Sequence, residues 1–248
     1  MCELFCLSSR LPTRATFSLE RFAQRGGYAS RAVDGWGLAF SNGRDMRLYK
    51  EPEPAADSPW IAFIEQRRLP TRLLVSHIRH ATRGDISLAN TQPFVRELGG
   101  RAHVFAHNGR LDQIECRHAG EWERFRPLGE TDSEIAFCIL LERVSRSWRA
   151  GAIPPIEERA AIVARFAAEM RALGPANFLY GDGDVLFAHG HRRMQADGQI
   201  APPGLWRLHR RCEVDADAIS KSGLSIEGPA EDQELMLVAS VPPVLARR

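Results

Sequence analysis

The 248-residue sequence contains no apolar run close to the roughly 18 residues that a membrane-spanning helix requires. Its first residues do not form a secretory signal either, because Ser8-Ser9-Arg10 and Pro12-Thr13-Arg14 interrupt the apolar stretch. The 33 basic and 31 acidic residues give a net charge of only +2, and no basic field of the kind that binds nucleic acid is concentrated anywhere. We therefore expect a cytoplasmic protein that binds neither membrane nor nucleic acid.

Cysteine is scarce and is not paired in any metal-binding pattern. The five cysteines are odd in number and scattered, which fits a reducing compartment better than a disulfide framework; they are Cys2, Cys6, Cys116, Cys138 and Cys212. No pair has zinc-finger spacing, and His77 and His80 lack a third ligand at a suitable distance. We expect neither a metal nor an organic cofactor.

The periodicity of the chain predicts one layered α+β domain over residues 2–248. With 44% apolar residues the chain can bury a sizeable core. Alternating or continuous apolar runs predict strands at residues 2–8, 35–40, 46–50, 72–80, 103–107, 178–180, 185–188, 205–212 and 235–240. Helical spacing and capping signals predict helices at residues 18–24, 59–67, 131–144 and 156–173. Residues between 80 and 103 are predicted to form a polar loop.

Cys2 is the first candidate for chemistry, because removal of Met1 would give one residue both a thiol and a free α-amino group. An α-amine titrates at about 7.7 to 8.0 and a thiol at about 8.5, so the amine can accept the thiol proton near neutral pH. Such a residue can supply both nucleophile and base. The alternative is that Cys2 is an ordinary small apolar residue in a first strand.

Two further segments, residues 24–37 and 77–84, are rich in glycine and arginine. The first contains QRGGY and DGWG, whose glycines allow close approach of backbone, although taken alone this segment favours a plain glycine loop. The second is HIRHATRG, in which Arg79 ends an apolar strand. A guanidinium in that position suits either a substrate carboxylate or a structural ion pair.

Two more motifs combine polar side chains with helix or strand ends. Asn108-Gly109 follows an apolar run, where it forms either a tight turn or a pair of donors to an oxyanion. Asp132 precedes a buried helix, and it either caps that helix or binds a substrate ammonium group.

Taken in order, these motifs resemble the glutaminase domain of class-II glutamine amidotransferases, which are N-terminal-nucleophile hydrolases. The resemblance runs from Cys2 to about residue 141 and is closest to the small stand-alone branch, which shares Met-Cys-Glu-Leu and includes γ-glutamyl amidohydrolases of ergothioneine synthesis. It implies a four-layer αββα sandwich of two mainly antiparallel sheets flanked by helices. No synthase domain is expected.

The resemblance also implies a role for each motif residue. The implied catalytic residues are Cys2 as nucleophile and Asn108 with Gly109 as oxyanion donors. The implied substrate-binding residues are Arg79 for the α-carboxylate, Thr82 of the same motif, Asp132 for the α-ammonium, Arg25 near the nucleophile, and His80 directly after Arg79. His80 stands where tryptophan is common, and Arg83 and Gln92 stand where histidine is frequent. The preferred amide is therefore left open.

The sequence thus favours hydrolysis of the γ-amide of glutamine to glutamate and ammonia through a Cys2 thioester. One alternative is a γ-glutamyl amide other than glutamine as substrate. Another is a non-catalytic glutamine-binding regulatory subunit. Any ammonia acceptor would be a separate enzyme, and the oligomeric state is left open.

Overall fold

A computed structural model describes residues 2–14, 33–148, 151–211 and 232–241, and it contains two antiparallel sheets. The first sheet has six strands in the order β11-β12-β1-β4-β2-β3. Its strands are β1 (Glu3–Thr13), β2 (Trp36–Asn42), β3 (Asp45–Glu51), β4 (Thr71–Ile78), β11 (Trp206–Arg211) and β12 (Glu234–Ala239). The chain therefore places β1 in the interior of this sheet, between β12 and β4.

The second sheet has four strands in sequence order, β5-β6-β7-β8. These strands are β5 (Phe94–Leu98), β6 (Arg101–Gly109), β7 (Ala176–Gly181) and β8 (Leu186–His189). A short ribbon pairs β9 (Arg193–Met194) with β10 (Ile200–Ala201). The helices are α1 (Pro59–Arg67), α2 (Ile114–Arg117), α3 (Asp132–Ser145) and α4 (Ile156–Leu173), and a single 3-10 turn covers Ala55–Asp57.

Because side chains alternate along the strands, the buried apolar residues form three separate cores, each between two layers of secondary structure. Leu4 and Cys6 of β1 pack with Val104 and Ala106 of β6, so these faces of the two sheets meet each other. The opposite face of the first sheet packs on α1, and the opposite face of the second sheet packs on α3 and α4. The result is the expected four-layer αββα sandwich.

Several local predictions are confirmed. The hairpin at Asn42-Gly43 joins β2 to β3, and helices α1 and α4 begin and end where the sequence predicts. Thr131 is the N-cap of α3, and its side chain accepts a hydrogen bond from the Glu134 backbone N–H at 3.2 Å. The predicted helix at residues 18–24 lies outside the described residues.

The prediction of a polar loop throughout residues 80–103 is wrong, because Phe94–Leu98 forms β5 and pairs with β6. Gly99 and Gly100 connect the two strands with φ values of 62° and 80°. Two consecutive residues with positive φ are typical of a type I′ hairpin turn, which favours glycine. The Gly-Gly pair was the signal for this hairpin.

His77 occupies the interior of the first sheet, where it pairs with Leu4 and Gly37 and is 0% exposed. Burial lowers its pKa to about 3, and the nearby His107 and Arg79 act in the same direction. The folded protein therefore holds His77 neutral, whereas the unfolded chain binds a proton below pH of about 6.5.

Replacement of His77 by leucine is expected to reduce the acid sensitivity of the fold. The stabilisation by neutral His77 is complete above pH of about 6.5 and is lost as the pH falls towards 3, because only the unfolded chain then gains the proton. Urea unfolding should be measured for both proteins between pH 6 and 4. As the pH falls, the free energy of unfolding of wild type should decrease more steeply than that of His77→Leu, by about 1.4 kcal/mol per pH unit. Parallel curves for the two proteins would contradict this assignment.

Candidate functional site

Cys2 and Asn108 meet at one end of the sandwich, where β1 begins and β6 ends. Cys2 precedes β1 and continues the alternation of Leu4 and Cys6, and Asn108 continues that of Ala106. Both side chains are therefore directed between the sheets. The Asn108 side-chain Nδ2 donates to the Cys2 backbone carbonyl at 2.7 Å. This bond ties the amide directly to the backbone of the candidate nucleophile.

The tight turn considered for Asn108-Gly109 is not present, because both residues lie within β6 and pair with Asn177 and Ala176 of β7. Asn177 also donates from its side-chain Nδ2 to the Asn108 backbone carbonyl at 2.9 Å. A Cβ at Gly109 would lie only 1.8 Å from the Pro175 carbonyl oxygen. Glycine is therefore required at position 109 by the close approach of the neighbouring chain.

The Asn108 amide has one strong partner and room for another. Besides its bond to Cys2, Nδ2 lies 3.5 Å from the Ser240 hydroxyl oxygen, at the limit of a hydrogen bond. That hydroxyl also accepts from the Leu4 backbone N–H at 2.9 Å. An asparagine amide has two N–H donors, so an oxygen that approaches the sulfur has only the long contact to Ser240 to replace.

The Cys2 sulfur rests against the backbone that follows β4. The His80 backbone N–H donates to Sγ at 3.1 Å, and the thiol is 3.4 Å from the His80 carbonyl oxygen to which it can donate. Burial raises the pKa of the Cys2 thiol, whereas the His80 N–H and the charge of Arg79 lower it. Because the pKa is raised overall, the sulfur needs a base near neutral pH before it can act as a thiolate nucleophile.

Arg79 lies beside this sulfur and is 3% exposed. Its guanidinium donates to the backbone carbonyls of Arg83 and Gly84, both at 3.1 Å, and to that of Asp34 at 3.5 Å. The structural ion pair considered from the sequence is therefore replaced by hydrogen bonds to carbonyl oxygens. Arg79 holds the loop after β4 and brings a positive charge close to Cys2.

A cleft of about 590 Å³ opens where the chain continues beyond His80 and beyond Gly109. The residues that line it are Thr82, Arg83, Arg110, Leu111, Asp112, Gln113 and Asp132. Thr82 is exposed in this cleft, and Asp132 is 7% exposed. The structure thus places Thr82 and Asp132 in the same cleft.

Asp132 is the first residue of α3 and not its cap. One carboxylate oxygen accepts from the Leu111 backbone N–H at 2.7 Å, and the other accepts from the Ser133 backbone N–H at 2.9 Å. Each carboxylate oxygen has a second lone pair. Asp132 can therefore bind a cation in the cleft while it keeps both backbone contacts.

The comparison with protein-family models matches residues 1–227 to class-II glutamine amidotransferases. The chain belongs to this family. It is 37% identical to YafJ of Escherichia coli, provisionally named a glutamine amidotransferase, over 84% of this chain and 80% of the relative. A similarly named Haemophilus influenzae protein is 32% identical, over 88% of this chain and 71% of the relative.

Solved structures give the same family and fold. The crystal structure of a predicted glutamine amidotransferase from Pseudomonas aeruginosa has a TM-score of 0.67 and 31% identity, and covers 98% of this chain and 90% of its own. Glutamine phosphoribosylpyrophosphate amidotransferase from Bacillus subtilis has a TM-score of 0.57 at 16% identity, covering 96% of this chain and 42% of its own. The second likeness concerns the fold alone.

Some features of this amidotransferase fall outside the sequence prediction. Arg25 lies outside the described residues. Asp34, Asn177 and Ser240 surround the site but were not singled out; only Asp34 carried a signal, since it precedes the glycines of the DGWG motif. Among the described residues, no group of three or more metal-binding side chains occurs, and no helix in that part of the chain could cross a membrane.

Proposed function

We propose that this class-II glutamine amidotransferase hydrolyses the γ-carboxamide of glutamine, with Cys2 as the nucleophile. The observation that carries the proposal is the contact between the Asn108 amide and the Cys2 backbone, which brings an oxyanion donor beside the sulfur. Burial raises the pKa of the Cys2 thiol, so the proposal requires a nearby base. The α-amino group of Cys2, free once Met1 is removed, is that base.

In the proposed reaction, the Cys2 α-amine takes the thiol proton directly or through a water, and Sγ attacks the γ-carbonyl carbon. The oxygen of the tetrahedral intermediate accepts hydrogen bonds from the second Asn108 N–H and from the Gly109 backbone N–H. The amine returns the proton to the leaving nitrogen, and ammonia departs from a γ-glutamyl thioester. Water then attacks the thioester, which releases glutamate and regenerates the thiol.

Arg79, Thr82 and Asp132 orient the substrate in this proposal. Arg79 and Thr82 receive the α-carboxylate, and Asp132 receives the α-ammonium group from its position in the cleft. His80 contributes its backbone to the nucleophile, and Arg25 completes the group as the resemblance implies. These contacts supply orientation to the reaction, and the bond-breaking chemistry belongs to Cys2.

A γ-glutamyl amide larger than glutamine is the second candidate substrate. The cleft of about 590 Å³ is within the range of pockets that enclose ligands of drug size. Comparison of ammonia release from glutamine with hydrolysis of a panel of γ-glutamyl amides separates the two substrates.

The proposal is tested by intact mass before and after exposure to an electrophilic glutamine analogue, with Cys2→Ala in parallel. We expect a chain that lacks Met1 and gains one adduct, and we expect the adduct to be absent from Cys2→Ala. A processed chain without an adduct would favour a different γ-glutamyl compound or a non-catalytic binding role. Retention of Met1 in a protein that hydrolyses glutamine would exclude the amine as the base.

Replacement of Asp132 by asparagine is expected to raise KM for glutamine by about 10-fold to 100-fold, because a charge-assisted contact to the ammonium group is lost. The value of kcat should change less, since Asp132 does not touch the reacting amide. Steady-state kinetics on both proteins measure the two constants. Asp112→Asn is the matched control, because Asp112 is another acid that lines the same cleft. An unaltered KM in Asp132→Asn would mean that the residue serves only the fold.

A further inference from the structure

Asp34 makes contacts to the turn that follows β4, and it makes them from both its backbone and its side chain. Its backbone N–H donates to the Arg79 carbonyl at 3.2 Å, and its carboxylate Oδ2 accepts from the Ala81 backbone N–H at 2.7 Å. The same oxygen lies 3.5 Å from the His80 ring Nδ1. The backbone on both sides of His80 is therefore hydrogen-bonded to Asp34.

The His80 backbone N–H is the group that donates to the Cys2 sulfur, at 3.1 Å. Its direction depends on the peptide planes between Arg79 and Ala81, because a backbone N–H cannot rotate independently of its peptide unit. The Arg79 backbone N–H also donates to the Gly35 carbonyl at 2.7 Å, which fixes the turn from the residue next to Asp34. With the bond from the Arg79 guanidinium to the Asp34 carbonyl, the turn thus has five contacts to Asp34 and Gly35.

We propose that Asp34 is a positioning residue for the Cys2 nucleophile: it fixes the turn at residues 79–81 so that the His80 N–H stays directed at the sulfur. The inference rests on the proposed role of Cys2 and assigns Asp34 no contact with substrate. A hydrogen bond to the sulfur is stronger when the sulfur is charged, so the arrangement stabilises the thiolate.

The charge of Asp34 and its hydrogen bonds to the turn have opposite effects on the ionisation of the Cys2 thiol, so variants of Asp34 can distinguish the two. A nearby carboxylate disfavours a thiolate, so removal of the negative charge alone should favour ionisation of Cys2. Loss of the ordered turn should disfavour ionisation, because the sulfur loses its donor. Of the other charged groups that face the sulfur, the N-terminal ammonium and Arg79 favour the thiolate and Glu3 opposes it, and all three remain in every variant of Asp34.

The test measures the rate of Cys2 alkylation by iodoacetamide against pH, followed by the mass of the N-terminal peptide in the full-length protein. Cys6 lies in the same peptide but is 0% exposed, and fragmentation of the peptide distinguishes the two sites. Asp34→Asn keeps an oxygen that can accept from Ala81 and removes the charge. Asp34→Glu keeps the charge but is one methylene longer, which displaces the acceptor.

We expect the midpoint of alkylation to rise by about one pH unit in Asp34→Glu, which is a roughly tenfold loss of thiolate below the midpoint. The midpoint of Asp34→Asn should stay within a few tenths of a unit of wild type or fall. The midpoint of Asp34→Ala should rise less than that of Asp34→Glu, because alanine removes the negative charge together with the acceptor. The Glu and Asn pair carries the test if the alanine variant does not fold. Asp45→Glu is the matched control. Asp45 begins β3, pairs with the far end of β2, and its carboxylate accepts a hydrogen bond from the Met46 backbone N–H.

An unchanged midpoint in Asp34→Glu, or equal shifts in Asp34→Glu and Asp34→Asn, would overturn the positioning role. The experiment needs no glutamine and reports only on the thiol. A protein whose Cys2 alkylates normally but takes no adduct from the glutamine analogue would therefore count against the proposed function and leave the role of Asp34 intact.

Discussion

Cys2→Ala is expected to lower amide hydrolysis by at least about 10⁴-fold while the protein remains folded, because no other group can form the thioester. The side chain is partly buried and precedes β1, so its removal leaves the strand pairing of the sheet unchanged. Ammonia release from glutamine, measured together with thermal unfolding, checks both parts of the expectation.

Cys116→Ala is the matched control for this prediction, because Cys116 is a free and exposed cysteine in α2. It should retain wild-type hydrolysis. Hydrolysis by Cys2→Ala at the wild-type rate would exclude Cys2 as the nucleophile, whatever the fate of Met1. A loss of hydrolysis together with a lowered unfolding temperature would instead point to a structural role at the start of β1.

Asn108→Ala is expected to lower kcat by about 10²-fold to 10³-fold with little change in KM, because an oxyanion donor acts mainly in the transition state. The substitution also removes the 2.7 Å hydrogen bond to the Cys2 carbonyl, which holds the donor at a fixed distance from the sulfur. Both losses act on the chemical step, so the ratio of kcat to KM should fall in parallel with kcat.

Asn42→Ala is a suitable control for the asparagine substitution, since Asn42 is exposed in the hairpin between β2 and β3. Neither kinetic constant should change in that variant. If Asn108→Ala raised KM at constant kcat, Asn108 would be a ground-state contact and the oxyanion role would be wrong. Adduct formation with the glutamine analogue offers a second measure of the same step.

Much of the fold was predictable because local signals were strong and agreed with the tertiary packing. Gly174 after α4 and Thr131 before α3 define helix ends through contacts within a few residues. β5 was missed because its sequence, FVREL, is only five residues long, does not alternate apolar and polar residues and carries two charges. Its pairing with β6 is a local hairpin, but the Gly-Gly turn was a weaker signal than the polar residues that precede β5.

The candidate site divides in the same way. Cys2, Asn108 and Asp132 could be singled out because their residue types carry chemistry. The positions of Asn177 and Ser240 could not be predicted, because each meets Asn108 only when β7 and the end of β12 lie beside it. Such contacts depend on sheet order, and neither residue stands in a motif. Asn108-Gly109 was ambiguous for a related reason: only pairing with β7 distinguishes a strand end from a turn.

The interior position of β1 has a consequence for the order of events during synthesis. Cys6 pairs with Val238, so the strand that follows Cys2 acquires one neighbour only after the ribosome has added Val238. At a synthesis rate of about 5 to 20 residues per second, roughly 10 to 50 seconds pass between synthesis of β1 and synthesis of β12. We expect an aminopeptidase to reach Met1 in this interval, while β1 still lacks its last neighbour. The protein would then be processed before its active site exists, and the growing chain could not consume glutamine.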